Sequence, residues 1–179
     1  MPRERTQLRY QLYRSNARKL AIATLSRLHQ DLEHGGQVGF DFSRIRFEPI
    51  NAQALNAFQH WNDPHYSWNE VVGWKAKEPM CFDLAIWFDL ELCGLCFANP
   101  NQSRQRVKIV RLEGNPERGH PLKSLIASLA LTAVTHFAQI IGCRQIEIQE
   151  PVKGAIAIYQ QLGFEFDTEG RLVMLMECD

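Results

Sequence analysis

Between Leu122 and Ile141 apolar side chains recur at helical spacing. Leu122, Leu125, Ile126, Leu129, Ala133, Phe137 and Ile140 form one wide stripe, and Gly142 follows as a stop. A helix this apolar needs a broad hydrophobic surface to lie on, and the segments around it offer one. Ile45 and Phe47, the stretch from Arg106 to Gly114, and Ile146 and Ile148 all alternate with the period of a half-buried strand. The expected class is therefore α/β (α+β), with a long helix packed on a sheet.

The remaining elements follow from local signals. Ser15 is placed to cap a helix over 16–33, where Ala17, Leu20, Ala21, Thr24, Leu25 and Leu28 share a side and Gly35-Gly36 ends the run. Residues 51–61 have helical spacing, and 62–77 read as irregular and aromatic. Apolar runs at 83–90 and 92–99 predict two strands, closed by the turn signal Asn99-Pro100-Asn101. In the strand predicted over 106–114, Val107, Ile109, Arg111 and Glu113 share one face, with Lys108, Val110 and Leu112 on the other. After a strand over 144–150, Pro151 precedes a short helix over 154–162. A final hairpin is predicted around Glu169-Gly170.

The 179 residues carry 45% hydrophobic side chains and no Pro/Gly/Ser-rich linker, so one folded domain over 43–179 is expected behind a helical extension over 1–42. Twenty basic and 20 acidic side chains exclude a generally basic nucleic-acid surface, but the distribution is uneven. Arg3, Arg5, Arg9, Arg14, Arg18, Lys19 and Arg27 stand against the single acid Glu4, which leaves 13 basic and 19 acidic groups in the rest. The extension reads either as a helix laying its apolar side on the domain or as a basic arm for RNA or an acidic protein. The start of the chain lacks the apolar core of a secretory signal, and no apolar run approaches the ~20 residues of a bilayer span, so a cytoplasmic protein without membrane contact is expected. The five cysteines form no regular frame; strand parity places Cys93 and Cys96 on opposite faces, and no metal is expected.

Ala155, Ile158, Tyr159, Gly163 and Phe164 resemble the A-x-x-[LI]-Y-x-x-x-G-F tail of the GNAT superfamily of acyl-CoA-dependent N-acyltransferases. The order of predicted elements is similar to that family over residues 43–179. The resemblance implies a central mixed, mostly antiparallel sheet of six to seven strands flanked by helices, here with an extra N-terminal helix. It also implies acetyl transfer from acetyl-CoA to a primary amine by direct attack within a ternary complex. The family's coenzyme A loop, R/Q-x-x-G-x-G/A, corresponds to Arg118-Gly119-His120-Pro121-Leu122-Lys123, with Arg118 matching and Pro121 and Lys123 in place of small residues. Proline has no N–H to offer a phosphate, so the loop departs from the family where backbone donors matter. Gly119 could restore flexibility, and Arg118, His120 and Lys123 could supply side-chain charge. The cofactor residues implied are Leu112, Arg118, Gly119, His120, Leu122, Lys123 and Ser124.

Tyr159 is implied as the acid that reprotonates the thiolate; the alternative is a core tyrosine with a satisfied hydroxyl. Glu113, at the end of the fourth strand, is the candidate base, with Glu147 and Glu150 as rivals. Trp61, Trp68, Trp87 and Glu150 are expected around the acceptor, within an aromatic group that also holds His65, Tyr66 and Trp74; the alternative is a satellite core. His136 reads as a core histidine. The acceptor is a small-molecule or protein amine, and a homodimer fits the same reading. Two other functions stay open: a GNAT-like binding module that has lost coenzyme A, and a tRNA-directed acetyltransferase that uses the basic arm.

Overall fold

The computed structural model describes residues 2–36 and 41–176. Seven strands form one sheet in the order β1-β2-β3-β4-β5-β7-β6. They are β1 (Ile45–Glu48), β2 (Phe82–Phe88), β3 (Glu91–Pro100), β4 (Arg106–Gly114), β5 (Gln145–Ile148), β6 (Glu165–Phe166) and β7 (Leu172–Leu175). All neighbours are antiparallel except β4 and β5. The helices are α1 (Pro2–His34), α2 (Ala52–Phe58), α3 (Val71–Lys77), α4 (Ile126–Ile141) and α5 (Ile156–Gln161). No described helix is long and apolar enough to cross a membrane.

α1 and α4 lie on one face, where Tyr10, Ala17, Ala21 and Leu25 of α1 meet Phe137 and Val134 of α4 and the inward residues of β2. Tyr159 of α5 and Phe164 join this core. That placement suits right-handed crossovers, since β4-α4-β5 and β5-α5-β6 advance in one direction across the sheet. α2 and α3 cover the opposite face of β2 and β3, where Trp68, Trp87, Leu95 and Phe97 form a second core that reaches Val110 of β4.

Four expectations change. α1 begins at Pro2 rather than after Ser15, which lies in mid-helix and caps nothing. The earlier start has a packing cause: Tyr10 is buried against Phe137 with ring centroids 6.2 Å apart, and Arg14 donates to the carbonyls of Pro79 and Cys81, both at 3.0 Å. α4 starts at Ile126, a turn later than predicted, because Ser124 takes a left-handed φ of 71° and breaks the helical path behind Pro121. The segment 62–77, read as irregular, holds α3.

The fourth change concerns parity. Ile86 pairs with Gly94 while Trp87 pairs with Leu92, so Cys93 is an extra residue in β3. Cys93 and Cys96 therefore join the same core, against the expectation of opposite faces. Phe97 pairs with Arg111 while Ala98 pairs with Ile109, making Val110 the extra residue of β4. Beyond Val110 the alternation inverts: Leu112 joins the α4 side, while Arg111 and Glu113 turn to the α2/α3 side.

Both long-range helix stops are built by glycine. The amides of Gly142 and Cys143 bond to the carbonyls of Gln139 and Ala138, and those of Gly163 and Phe164 to Gln160 and Tyr159. This double closure needs a left-handed residue, which Gly142 and Gly163 supply at φ 79° and 110°.

Candidate functional site

The parallel pair β4/β5 is short. Its register runs from Arg106/Gln145 to Ile109/Ile148, and the Gln149 amide makes a last bond to the Ile109 carbonyl at 3.0 Å. Past this point β4 continues with Val110 to Gly114, while Glu150, with φ 47°, and Pro151 turn β5 away. The strands part, and a cavity of about 40 Å³ occupies the gap, bordered by Tyr66, Arg111, Gln149, Glu150 and Tyr159 among others. The positive φ of Glu150 is a strained conformation for a non-glycine residue and marks this strand end as specially shaped.

Tyr159 is 7% exposed, with its ring edge-on to Phe164. Burial pushes its hydroxyl well above the ordinary phenol range, with Cys96 and Tyr66 adding to the effect, so the group holds its proton. Tyr66 enters from the loop after α2, its ring 4.8 Å from the Arg111 guanidinium. Burial also raises the Tyr66 phenol, and the Arg111 charge partly opposes the rise. Arg111 is fixed on its other side by Trp74 at 4.4 Å, and donates to Ser67 O and Glu70 Oε2, both at 2.9 Å.

Glu113 is not a free base. Its carboxylate accepts the His65 amide at 2.6 Å, the Tyr66 amide at 3.2 Å and the Trp68 indole N–H at 2.8 Å. Its geometry is that of a clamp on the 65–68 loop, which sets the position of Tyr66. Glu147 is also engaged, lying 3.3 Å from Arg106 and 4.0 Å from Arg171. Glu150 alone among the three lines the gap.

The expected acceptor tryptophans are core residues. Trp68 is fully buried, Trp87 lies beneath the Arg46 guanidinium at 5.2 Å, and Trp61 packs edge-on against Phe58. Trp61 also borders a hollow of about 490 Å³ near the β2–β3 turn. Tyr66 and Trp74, which the aromatic grouping placed beside them, are the members that border open space at the gap and next to it. His136 meets Thr24 Oγ1 at 2.9 Å across α1 and α4.

In the 115–125 loop the backbone folds on itself. The amides of His120, Lys123 and Leu125 bond to the carbonyls of Glu117, His120 and Leu122. Leu122 is fully buried and His120 nearly so, its Nδ1 without a partner and its imidazole held below the usual range by burial. Arg118, Gly119, Lys123 and Ser124 are exposed. The groups an anion would meet here include the first turn of α4, whose leading amides have no carbonyl four residues back, and the exposed Arg118 and Lys123. Leu112 lies half-buried on the α4 side of β4.

The described cysteines are buried thiols. Burial lifts Cys81 and Cys93 to about 11 and Cys96 to about 12, which keeps them protonated. Among the described residues no group of His, Cys, Asp and Glu is arranged to hold a metal ion. The basic residues of α1 divide: Arg14 and Arg18 bond to the domain, while Arg5, Arg9, Lys19 and Arg27 face solvent.

Neither protein-family models nor characterised protein sequences match the chain. Solved structures do share its architecture. Ard1 from Thermoplasma volcanium superposes with a TM-score of 0.58 over 75% of this chain and 99% of its own, at 8% identity. The ribosomal-protein-S18-alanine N-acetyltransferase of Escherichia coli gives 0.56 over 75% and 96%, at 13% identity. A GNAT family acetyltransferase from Elizabethkingia anophelis with acetyl-CoA bound gives 0.55 over 74% and 99%, at 14% identity. The chain has the GNAT fold, in a divergent form.

Proposed function

We propose that the chain is an N-acyltransferase that moves an acetyl group from acetyl-CoA to a primary amine by direct attack. The observation that carries this reading is the parting of β4 and β5 after Ile109 and Ile148, with the Tyr159 hydroxyl buried beside the gap. Bound acetyl-CoA would supply the acyl group as a thioester. The residues that would hold it are Leu112, Arg118, Gly119, His120, Leu122, Lys123 and Ser124. Arg118 and Lys123 would replace with side-chain charge the backbone donors that the folded loop and Pro121 withhold.

The chain's own groups fit the two proton movements of such a transfer. Burial keeps Tyr159 protonated, so its hydroxyl stands as a hydrogen-bond donor to a departing thiolate, while the same burial works against full release of the proton. Glu150 offers a carboxylate at the mouth of the gap and can take the proton released by the amine nitrogen. Glu113 acts through Tyr66, holding its loop. This moves the base role from Glu113 to Glu150, because three N–H donors already engage Glu113.

Titration with acetyl-CoA tests the binding half. Ligand at 100 times its Kd raises native stability by about 2.7 kcal/mol, read as an upward Tm shift; no shift at millimolar ligand sinks the proposal. Tyr159→Phe tests the chemistry. Turnover should fall roughly 10²- to 10⁴-fold with cofactor affinity kept, and unchanged turnover would remove Tyr159 from the reaction.

A second reading, a binding module without coenzyme A, is favoured by one specific observation: the amides of His120, Lys123 and Leu125 bond within the loop. The same titration separates the two. The tRNA-directed version has less support, since Arg14 and Arg18 are turned into the domain.

A further inference from the structure

A groove of about 480 Å³ runs beside the gap, between the C-terminal end of α3, the β3–β4 turn and the face of β4 that α3 leaves uncovered. It shares Val110 and Gln149 with the small cavity around Tyr159. A molecule filling the groove therefore reaches the parted strands, and the volume suits a small ligand. Trp74 and Phe97 form one wall, their rings tilted at 5.3 Å.

The charges of the groove are uneven. Lys77 is exposed and Lys108 is half-buried on β4. Neither has an ion-pair or hydrogen-bond partner among the described residues. Glu147, which sits opposite Lys108 in the register, is held by Arg106 and Arg171. Glu78 at the rim is the one carboxylate among the lining groups, facing two ammonium groups. Desolvating a half-buried lysine favours an anionic ligand group over water only if the ligand supplies a charge-assisted hydrogen bond.

The hollow near Trp61 has the opposite character. Glu91 and Glu117 line it, which would suit a polycation, but it shares no residue with the Tyr159 cavity. A polyamine drawn there would lie away from the gap.

We infer that the groove takes an acceptor with an apolar body, a primary amine directed at the gap and a carboxylate paired with Lys108 and Lys77, the chemistry of an amino acid. As an acceptor site this rests on the acyltransferase reading, while its ligand preference can be measured by itself. The amine enters between Val110 and Gln149 toward Glu150 and Tyr159. The apolar body lies on Trp74 and Phe97. Polyamines are disfavoured by the two lysines at the same place.

Calorimetric titration of the full chain with L-phenylalanine, L-phenylalaninamide and spermidine tests the assignment. Phenylalanine should bind at least roughly tenfold tighter than its amide, the difference expected from one hydrogen bond to a charged group. Lys108→Met should weaken that preference, Lys108→Arg should retain it, and Lys108→Met combined with Lys77→Met should abolish it. Equal or tighter binding of the amide or of spermidine overturns the inference, as does binding of none of the three, or a preference that survives the double substitution. The acetyl-CoA titration is read separately. A missing shift with phenylalanine binding intact removes the enzyme and leaves the site, and the reverse outcome removes the substrate class alone.

Discussion

The two faces of the sheet hold together by different means. On the α1/α4/α5 side the core from Tyr10 through Phe137 to Phe164 is apolar, with Arg14 and Arg18 tying α1 to β2 and the turn before it at its edge. On the α2/α3 side, aromatic packing is interlaced with charged clamps: Glu113 on the 65–68 loop, Arg111 between Tyr66 and Trp74, and Lys75 on the Ile50 carbonyl. Burial is non-directional and gives the architecture. Hydrogen-bonded charges are directional, and they aim particular side chains at the gap. The difference teaches where to look for chemistry in a divergent fold: the face whose loops are tied by ions is the one whose geometry matters in detail.

Asp83 is where the division should break most severely, because it serves both faces. It is 1% exposed, meets Arg18 of α1 at 3.0 Å and Lys75 of α3 at 2.9 Å, and accepts the Ile50 amide at 2.7 Å. Asp83→Ala leaves two cations without their shared partner and should cost about 3–5 kcal/mol in urea denaturation at pH 7. Burial alone would raise the Asp83 carboxyl, but Arg18 and Lys75 outweigh it and hold it below the usual range. A depressed folded pKa means the contribution is complete above the unfolded value of about 3.9 and is lost as pH falls through the folded pKa. Stability of the wild type should thus decline more on acidification below pH 4 than that of Asp83→Asn. Parallel acid curves would contradict the assignment.

Gly94→Ala probes the dry face. A Cβ there would stand 2.8 Å from Ile126 Cγ2, at the first turn of α4, so a loss of about 1–3 kcal/mol is expected, with no change in the charged clamps. A change within ~0.5 kcal/mol, the range of neutral surface substitutions, would show that this turn is not seated against β3 as described.

Thr24→Val makes the mildest test. Removing the hydroxyl that meets His136 should cost about 0.5–1.5 kcal/mol. Burial, with Arg27 adding, holds the His136 pKa below its usual value, so the folded state prefers neutral imidazole. Its contribution is present above about pH 6.5, the unfolded pKa, and is lost as pH falls below it. His136→Gln should flatten this part of the profile.

The periodic parts of the chain were readable without coordinates. The α4 stripe, the helix stops at Gly142 and Gly163 and the order of elements along the chain follow from spacing and turn residues. Single-residue events were not readable. The bulges at Cys93 and Val110 leave composition and local pattern almost unchanged, yet each reverses every side chain beyond it. The early start of α1 was hidden for another reason: Arg14 and Arg18 look like a solvated face until their carbonyl and carboxylate partners, more than sixty residues away, are known. Tyr66 and Trp74 were grouped with Trp61, Trp68 and Trp87, and only tertiary packing separates wall from core.

The extra residue at Val110 works as a phase shift in a code with a period of two. Upstream of it β4 sends its apolar set to the dry face; downstream the same strand sends Arg111 and Glu113 to the other side. One inserted position thus rewrites the meaning of the letters that follow it without altering any of them. A strand that took Val110 into regular alternation would keep every residue of the chain and direct Arg111 and Glu113 into oil.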